Sequence, residues 1–205
     1  MDLSYNSVVE DNLQPAPLPQ DTPPVSQRPA RPVSGIGPVS LLRDVAISVA
    51  LAVILIVFIY QPVKVEGTSM MPGLTDQERI FVNKYEYKLG TGNIQRGDLV
   101  VFHYPKDPRE SYIKRVVGLP GDSVEIVDGD VYVNRHKLFE PYVIDAYRDH
   151  EPMSRRTVPP GEYFVLGDHR NSSSDSRSWG FVERPLIYGK AVLVYWPFAK
   201  IGRVH

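Results

Sequence analysis

An uncharged apolar run, Val45 to Tyr60 (VAISVALAVILIVFIY), constrains this chain more than any other stretch. With Leu41-Leu42 in front and Gln61-Pro62-Val63 behind, the segment reaches the roughly 17–25 residues that cross a hydrocarbon layer. It lacks the polar stripe of an amphipathic surface helix. A cleavable leader is the competing reading. Against it stand the long segment from Met1 to Pro38 and the absence of a small-x-small site in Gln61-Pro62-Val63-Lys64. The run therefore predicts one uncleaved transmembrane anchor helix over residues 41–63. Arg28, Arg31 and Arg43 precede it, which by the positive-inside rule leaves the N-terminus in the cytoplasm, although Asp44 and Lys64 dilute that signal. Residues 1–40 are rich in Pro, Ser and Gln, as in Pro15-Ala16-Pro17-Leu18-Pro19. Such a segment has too little apolar surface to offset its chain entropy and reads as a disordered, partly polyproline tail.

Beyond the anchor the texture changes. Short β-branched and aromatic runs alternate with Gly, Pro and Asp: Arg79 to Tyr85, Asp98 to Tyr104, Ser111 to Val117, Glu162 to Leu166 and Ala191 to Trp196. Asp128-Gly129-Asp130 between Ser123–Val127 and Val131–Asn134 is a hairpin signal. The segment from Lys137 to Pro160 is polar and reads as a loop or small excursion. Residues 64–205 are thus expected to be mainly β, an irregular antiparallel sheet or barrel-like domain on the far side of the membrane. Charge is balanced, with Lys+Arg 23 against Asp+Glu 24, so nucleic acid is not an expected partner. The chain has no cysteine, which excludes disulfides, thiol catalysis and thiolate metal sites.

Chemistry concentrates just after the anchor. In Gly67-Thr68-Ser69-Met70-Met71-Pro72-Gly73 a serine sits between flexible and turn-forming residues, next to a membrane surface. A serine hydroxyl needs a base. Of the five histidines, His103 and His169 are the plausible ones by position, but none stands in a recognisable Ser-His-Asp order. Lys114 is the other candidate. Period-2 alternation places it on a strand face with Tyr112 and Val116, and places Arg115 with Ile113 and Val117. The pattern leaves open which cation is buried. Only a lysine can give up its proton, and desolvation in an apolar pocket promotes that.

Four segments then occur in a fixed order: Gly67 to Pro72, Gly97 to Phe102, Tyr112 to Asp122, and Gly167 to Gly180 (GDHRNSSSDSRSWG). Together, behind an anchor, they closely resemble the bacterial type I signal peptidases, membrane-anchored serine proteases that remove signal peptides from exported proteins. The resemblance covers about Val45 to Ile201. It implies Ser69 as nucleophile, Lys114 as general base, Ser173 as the hydroxyl that hydrogen-bonds and positions the lysine, and Asp175 with Arg177 as the pair bracing the site. It implies the Ser69 backbone N–H as an oxyanion donor; a serine found two residues earlier in some members is Gly67 here, which leaves the second donor open. Pro72-Gly73 replaces the family's usual Pro-Thr, and His169 stands where Asn is common. The implied substrates are preproteins cut after a small-x-small (Ala-x-Ala) site. The implied partners are the lipid bilayer and the secretion translocon, and no cofactor or metal is called for. The implied location is the bacterial plasma membrane, or a thylakoid in a photosynthetic cell. Two alternatives stand beside this reading: a self-cleaving Ser-Lys repressor protease, and an inactive signal-peptide-binding homologue that scaffolds the export machinery.

Overall fold

A computed structural model describes residues 37–88 and 92–204, apart from the side chains of Leu55, Val57, Phe58, Glu86 and Lys88. The tail expected over residues 1–40 lies almost wholly outside the described residues. The chain divides into two units, Met1–Leu41 and Leu42–His205. The helix α1 (Pro38–Ile59) begins in the first and continues in the second. Among the described residues no helix is long and apolar enough to cross a membrane. The helix stops four residues before the end expected from hydropathy, because Pro62 cannot continue it and pushes Gln61 into extended conformation. The chain runs instead into strand β1 (Tyr60–Lys64).

Among the described residues twelve strands follow from there: β1, then β2 (Arg79–Asn83), β3 (Leu99–Tyr104), β4 (Asp107–Gly118), β5 (Ser123–Val127), β6 (Asp130–Val133), β7 (His136–Lys137), β8 (Met153–Thr157), β9 (Glu162–Leu166), β10 (Val182–Glu183), β11 (Ile187–Trp196) and β12 (Gly202–Arg203). The short helices α2 (Tyr85–Lys88) and α3 (Ser176–Trp179) interrupt them. All pairings are antiparallel. The larger sheet has the order β1-β2-β11-β3-β4-β9-β10, with β12 beside β11; the smaller has the order β7-β6-β5-β8. The mainly β expectation holds, as two open sheets rather than a closed barrel. Pro62 lies in edge strand β1, where a missing N–H interrupts no central ladder.

The core explains the run of apolar residues in β3. Leu99 and Val101 face one cluster, with Val65, Met70, Leu74, Ile80 and Val82. Val100 and Phe102 face another, with Val116, Val165, Val182 and Ile187. A strand buried on both faces reads as continuous hydrophobicity rather than alternation. The smaller sheet closes over Val117, Phe164 and Leu166 with Val124, Ile126, Val131 and Met153. The hairpin at Asp128-Gly129 joins β5 to β6, and both turn residues have positive φ, 50° and 79°, as a two-residue type I′ connection requires. The polar segment 137–160 is not only a loop, since it supplies β8 to the smaller sheet.

Candidate active site

Ser69 sits in the connection between β1 and β2, and the sequence around it folds that connection tightly. Val65 N–H donates to Glu78 O at 2.8 Å and Gln77 N–H returns to Val65 O at 2.9 Å, closing the base of the loop. Met70 and Leu74 are buried in the core and join through Leu74 N–H to Met70 O at 2.9 Å. Gly67 has φ +96°, a left-handed conformation that a residue with a Cβ adopts only under strain, and its N–H donates to Asp76 Oδ1 at 2.8 Å. Core-facing Met70 and the backbone closure hold the hydroxyl of Ser69 at the surface of a groove.

Lys114 reaches Ser69 from β4. Its Nζ lies 2.6 Å from Ser69 Oγ, a hydrogen bond between residues 45 apart in sequence. Lys114 is 5% exposed. Burial pulls its ammonium down from the ordinary 10.5 to about 8, with Arg177 pulling the same way, while Asp175 and Asp168 act in the opposite direction. Nζ also lies 5.5 Å from the centre of the Tyr112 ring. The neighbouring Arg115 is buried as well, at 3%, which settles what alternation left open: both cations go inside, on opposite faces. Their surroundings differ. Arg115 is neutralised by a two-pronged pair with Asp168, Nε to Oδ1 at 2.8 Å and NH2 to Oδ2 at 2.7 Å, and lies over the Tyr142 ring. Lys114 has no carboxylate within salt-bridge distance among the described residues, so its charge is the costly one.

The wall behind the lysine comes from the segment between β9 and α3. Asp175, fully buried, caps α3 and accepts from Gly167 N–H at 3.1 Å. It pairs with Arg177 through Nε at 2.8 Å and NH2 at 2.9 Å, so this is a buried brace and not a surface ion pair. Arg177 carries the brace further, to Asp149 Oδ2 at 2.6 Å and to the carbonyl of Arg170 at 2.6 Å. Gly167 has to be glycine: a Cβ there would lie 2.2 Å from Ser173 Oγ and 2.5 Å from the Ser69 carbonyl oxygen. Ser173 is therefore beside Ser69, but the hydrogen bond to Lys114 that the resemblance implies is not made. Its Oγ is buried and has no partner among the described residues, while Lys114 Nζ is hydrogen-bonded to Ser69 Oγ.

Of the histidines weighed as bases, His103 packs against Tyr188 in β11 with ring centres 4.7 Å apart and planes tilted by 40°. His169 touches the loop, though not its hydroxyl: its N–H donates to Ser69 O at 3.0 Å and its Nδ1 is 3.2 Å from Thr68 O. Sequence reasoning passed over several residues here. Glu140 pairs with buried Arg170, NH1 to Oε2 at 3.1 Å, and Tyr142 covers Arg115. Both come from the polar segment read as an excursion.

A groove of about 410 Å³ opens at the Ser69 hydroxyl. One side is the chain from Val63 to Ser69 and the other is Ser111 to Lys114 of β4. Val65, Ile80, Val101 and Ile113 line the floor and sides. Residues 111–114 pair with β3 along one edge, and β9 joins β4 only from Arg115 onward, so among the described residues no strand takes their other edge.

The family model described as signal peptidase, peptidase S26, matches residues 39–196. A signal peptidase I of Bacillus licheniformis is 36% identical over 171 residues, covering 79% of this chain and 90% of that one. A signal peptidase IB of Staphylococcus aureus is 38% identical over 175 residues, covering 76% and 89%. The crystal structure of a signal peptidase I from Enterococcus faecalis aligns with 35% identity and a TM-score of 0.44, over 48% of this chain and 97% of that one. On the family match and these identities, the chain belongs to the signal peptidase family, peptidase S26, and is a serine peptidase.

Proposed function

We propose that this peptidase removes signal peptides from preproteins with Ser69 as nucleophile and neutral Lys114 as general base. The observation that carries the reading is the 2.6 Å contact between Ser69 Oγ and a buried, carboxylate-free Lys114 Nζ. With its pKa near 8, about a tenth of the lysine is neutral at pH 7; at 10.5 the fraction would be roughly 0.03%. Neutral Nζ takes the hydroxyl proton as Oγ bonds to the scissile carbonyl carbon. The oxyanion that forms is met by the Ser69 N–H, which has no acceptor among the described residues. The Lys114 ammonium then gives its proton to the amine nitrogen as the peptide bond breaks. Water, deprotonated by the same lysine, releases the acyl group. Ser173 is the acceptor we assign to the ammonium once Oγ of Ser69 has become part of an ester, its free hydroxyl being beside the site. Asp175 and Arg177 hold that wall in place.

The groove supports an extended substrate, since Val63 and Lys64 of edge strand β1 and residues 111–114 of β4 line it and a peptide can add there as a strand. Branched side chains at Val65, Ile80, Val101 and Ile113 leave shallow room, which suits the small residues of an Ala-x-Ala site. In this reading the single-pass anchor is the whole apolar segment expected over residues 41–63, not α1 alone. Val45, Ile47, Val49, Leu51, Val53, Ile54 and Ile56 are each about half exposed, an apolar surface that no core covers and that a bilayer would. The N-terminus would then be cytoplasmic and the catalytic β domain extracytoplasmic, where the anchor raises the effective concentration of membrane-bound signal peptides and the translocon delivers them. Cleavage of a preprotein with an Ala-x-Ala site by the detergent-solubilised chain is the test. Ser69→Ala and Lys114→Ala should both be inactive yet folded; turnover by either at the wild-type rate would refute the dyad.

A further inference from the structure

Thr68 and Ser69 share one planar peptide unit, so the Thr68 carbonyl and the Ser69 N–H point in opposite directions and can only turn together. His169 grips this unit. Its Nδ1 lies 3.2 Å from the Thr68 oxygen, and because a carbonyl only accepts, Nδ1 carries the proton. Its own backbone N–H donates to the Ser69 carbonyl at 3.0 Å. The peptide planes on both sides of the Ser69 Cα are thus tied to one residue. The imidazole is fixed in turn by Tyr147, against which it stacks with ring centres 3.7 Å apart and planes 29° from parallel. Tyr147 belongs to the turn Asp145–Tyr147, which accepts Asn171 Nδ2 at Ala146 O, 3.1 Å away.

We infer that His169 is a positioning residue that aims the Ser69 N–H at the oxyanion, through its hydrogen bond to the other end of the same peptide. The inference rests on the Ser69–Lys114 reading. A donor on the Thr68 carbonyl also polarises the shared amide and makes its N–H a stronger donor. Gly67 has no side chain to supply a second donor, so the direction of this N–H matters more. Met71 N–H donates to the same carbonyl at 3.0 Å and keeps the turn formed without the imidazole. Loss of His169 should therefore leave the fold and most of the turn, and weaken only its aim.

The experiment uses the full chain in detergent, with a peptide carrying an Ala-x-Ala site and a peptide aldehyde that forms a tetrahedral adduct on serine. His169→Phe keeps the ring and removes the donor; His169→Asn restores a side-chain N–H. The Phe variant should lose about 10–100-fold in kcat, somewhat less than removal of an oxyanion donor outright, with KM within about two-fold. Its aldehyde affinity should fall by a similar factor while product-peptide affinity holds. The Asn variant should return to within about five-fold of wild type. A Phe variant with wild-type kcat, or an Asn variant as slow as Phe, would overturn the inference. If His169→Phe lowers the melting temperature, the ratio of aldehyde to product affinity decides, because a smaller folded fraction leaves that ratio unchanged; an unchanged ratio overturns the inference. Lys114→Ala, run alongside, separates the two levels: an active Lys114→Ala removes the dyad itself, whereas an inert one beside a normal His169→Phe removes only the role of His169.

Discussion

A lysine buried without a carboxylate is costly, and in the proposed mechanism that cost is what makes Lys114 a base. The folded state holds its pKa near 8 against an ordinary 10.5. Below pH 8 both folded and unfolded chains carry the proton, and the full burial penalty, about 3 kcal/mol, weighs on the fold. Between pH 8 and 10.5 the unfolded chain binds more protons than the folded one, so stability rises with pH through this group. Lys114→Met should accordingly be inactive and more stable, by about 2 kcal/mol at pH 7, with the gain shrinking as pH climbs toward 10. Urea unfolding of both proteins across that range checks it. A Met variant less stable than wild type at pH 7 would show that Lys114 is not a strained base. Arg115 shows the contrast, one residue away and equally buried, but stabilised by Asp168.

At the scale of elements, the segment 140–151 bolts the smaller sheet's side of the chain to the catalytic wall. Glu140 pairs with Arg170, Tyr142 covers Arg115, Tyr147 stacks on His169 and Asp149 pairs with Arg177. Glu140 and Arg170 are both almost fully buried, so removing one partner strands a charge. Glu140→Ala should cost about 3 kcal/mol, measured by thermal unfolding, and the paired change Glu140→Leu with Arg170→Met should recover much of it. A cost below about 1 kcal/mol would mean that water reaches the pair. These contacts mark the limit of what could be read from sequence. Strands with strong pattern, β3, β5, β6 and β9, were legible from apolar runs and from Asp128-Gly129. Strand β8 (Met153–Thr157) was not, because four of its five residues are exposed and polar and its place comes from pairing with β5. In the same way Ser69 and Lys114 stood out through motif order, whereas Glu140, Asp149 and His169 act through contacts between segments that are far apart in the chain.

On the scale of the whole molecule, the catalytic unit has its core beyond α1. The three apolar clusters draw their members from Val63 onward, and β1 joins the large sheet through β2. Removing residues 1–59 gives up the backbone bond from Lys84 N–H to Ile59 O at 3.2 Å. The shortened protein should fold, stay in the supernatant after ultracentrifugation, and cleave a short Ala-x-Ala peptide within about three-fold of the full chain. On a preprotein in liposomes it should lose far more, since it forgoes the concentration that an anchor confers. Full-length protein that also stays in the supernatant, after expression in bacterial membranes and alkaline washing, would remove the anchor from the account.

The most direct test of the central claim is the pH dependence of kcat/KM for Ala-x-Ala cleavage by wild type beside Lys114→Arg. A lysine that must be neutral predicts a wild-type rate rising through a midpoint near 8. The arginine variant, whose cation cannot act as a base, should be inactive at every pH. An active arginine variant, or a wild-type profile flat from pH 6 to 10, would contradict the assignment of Lys114 as the base that activates Ser69.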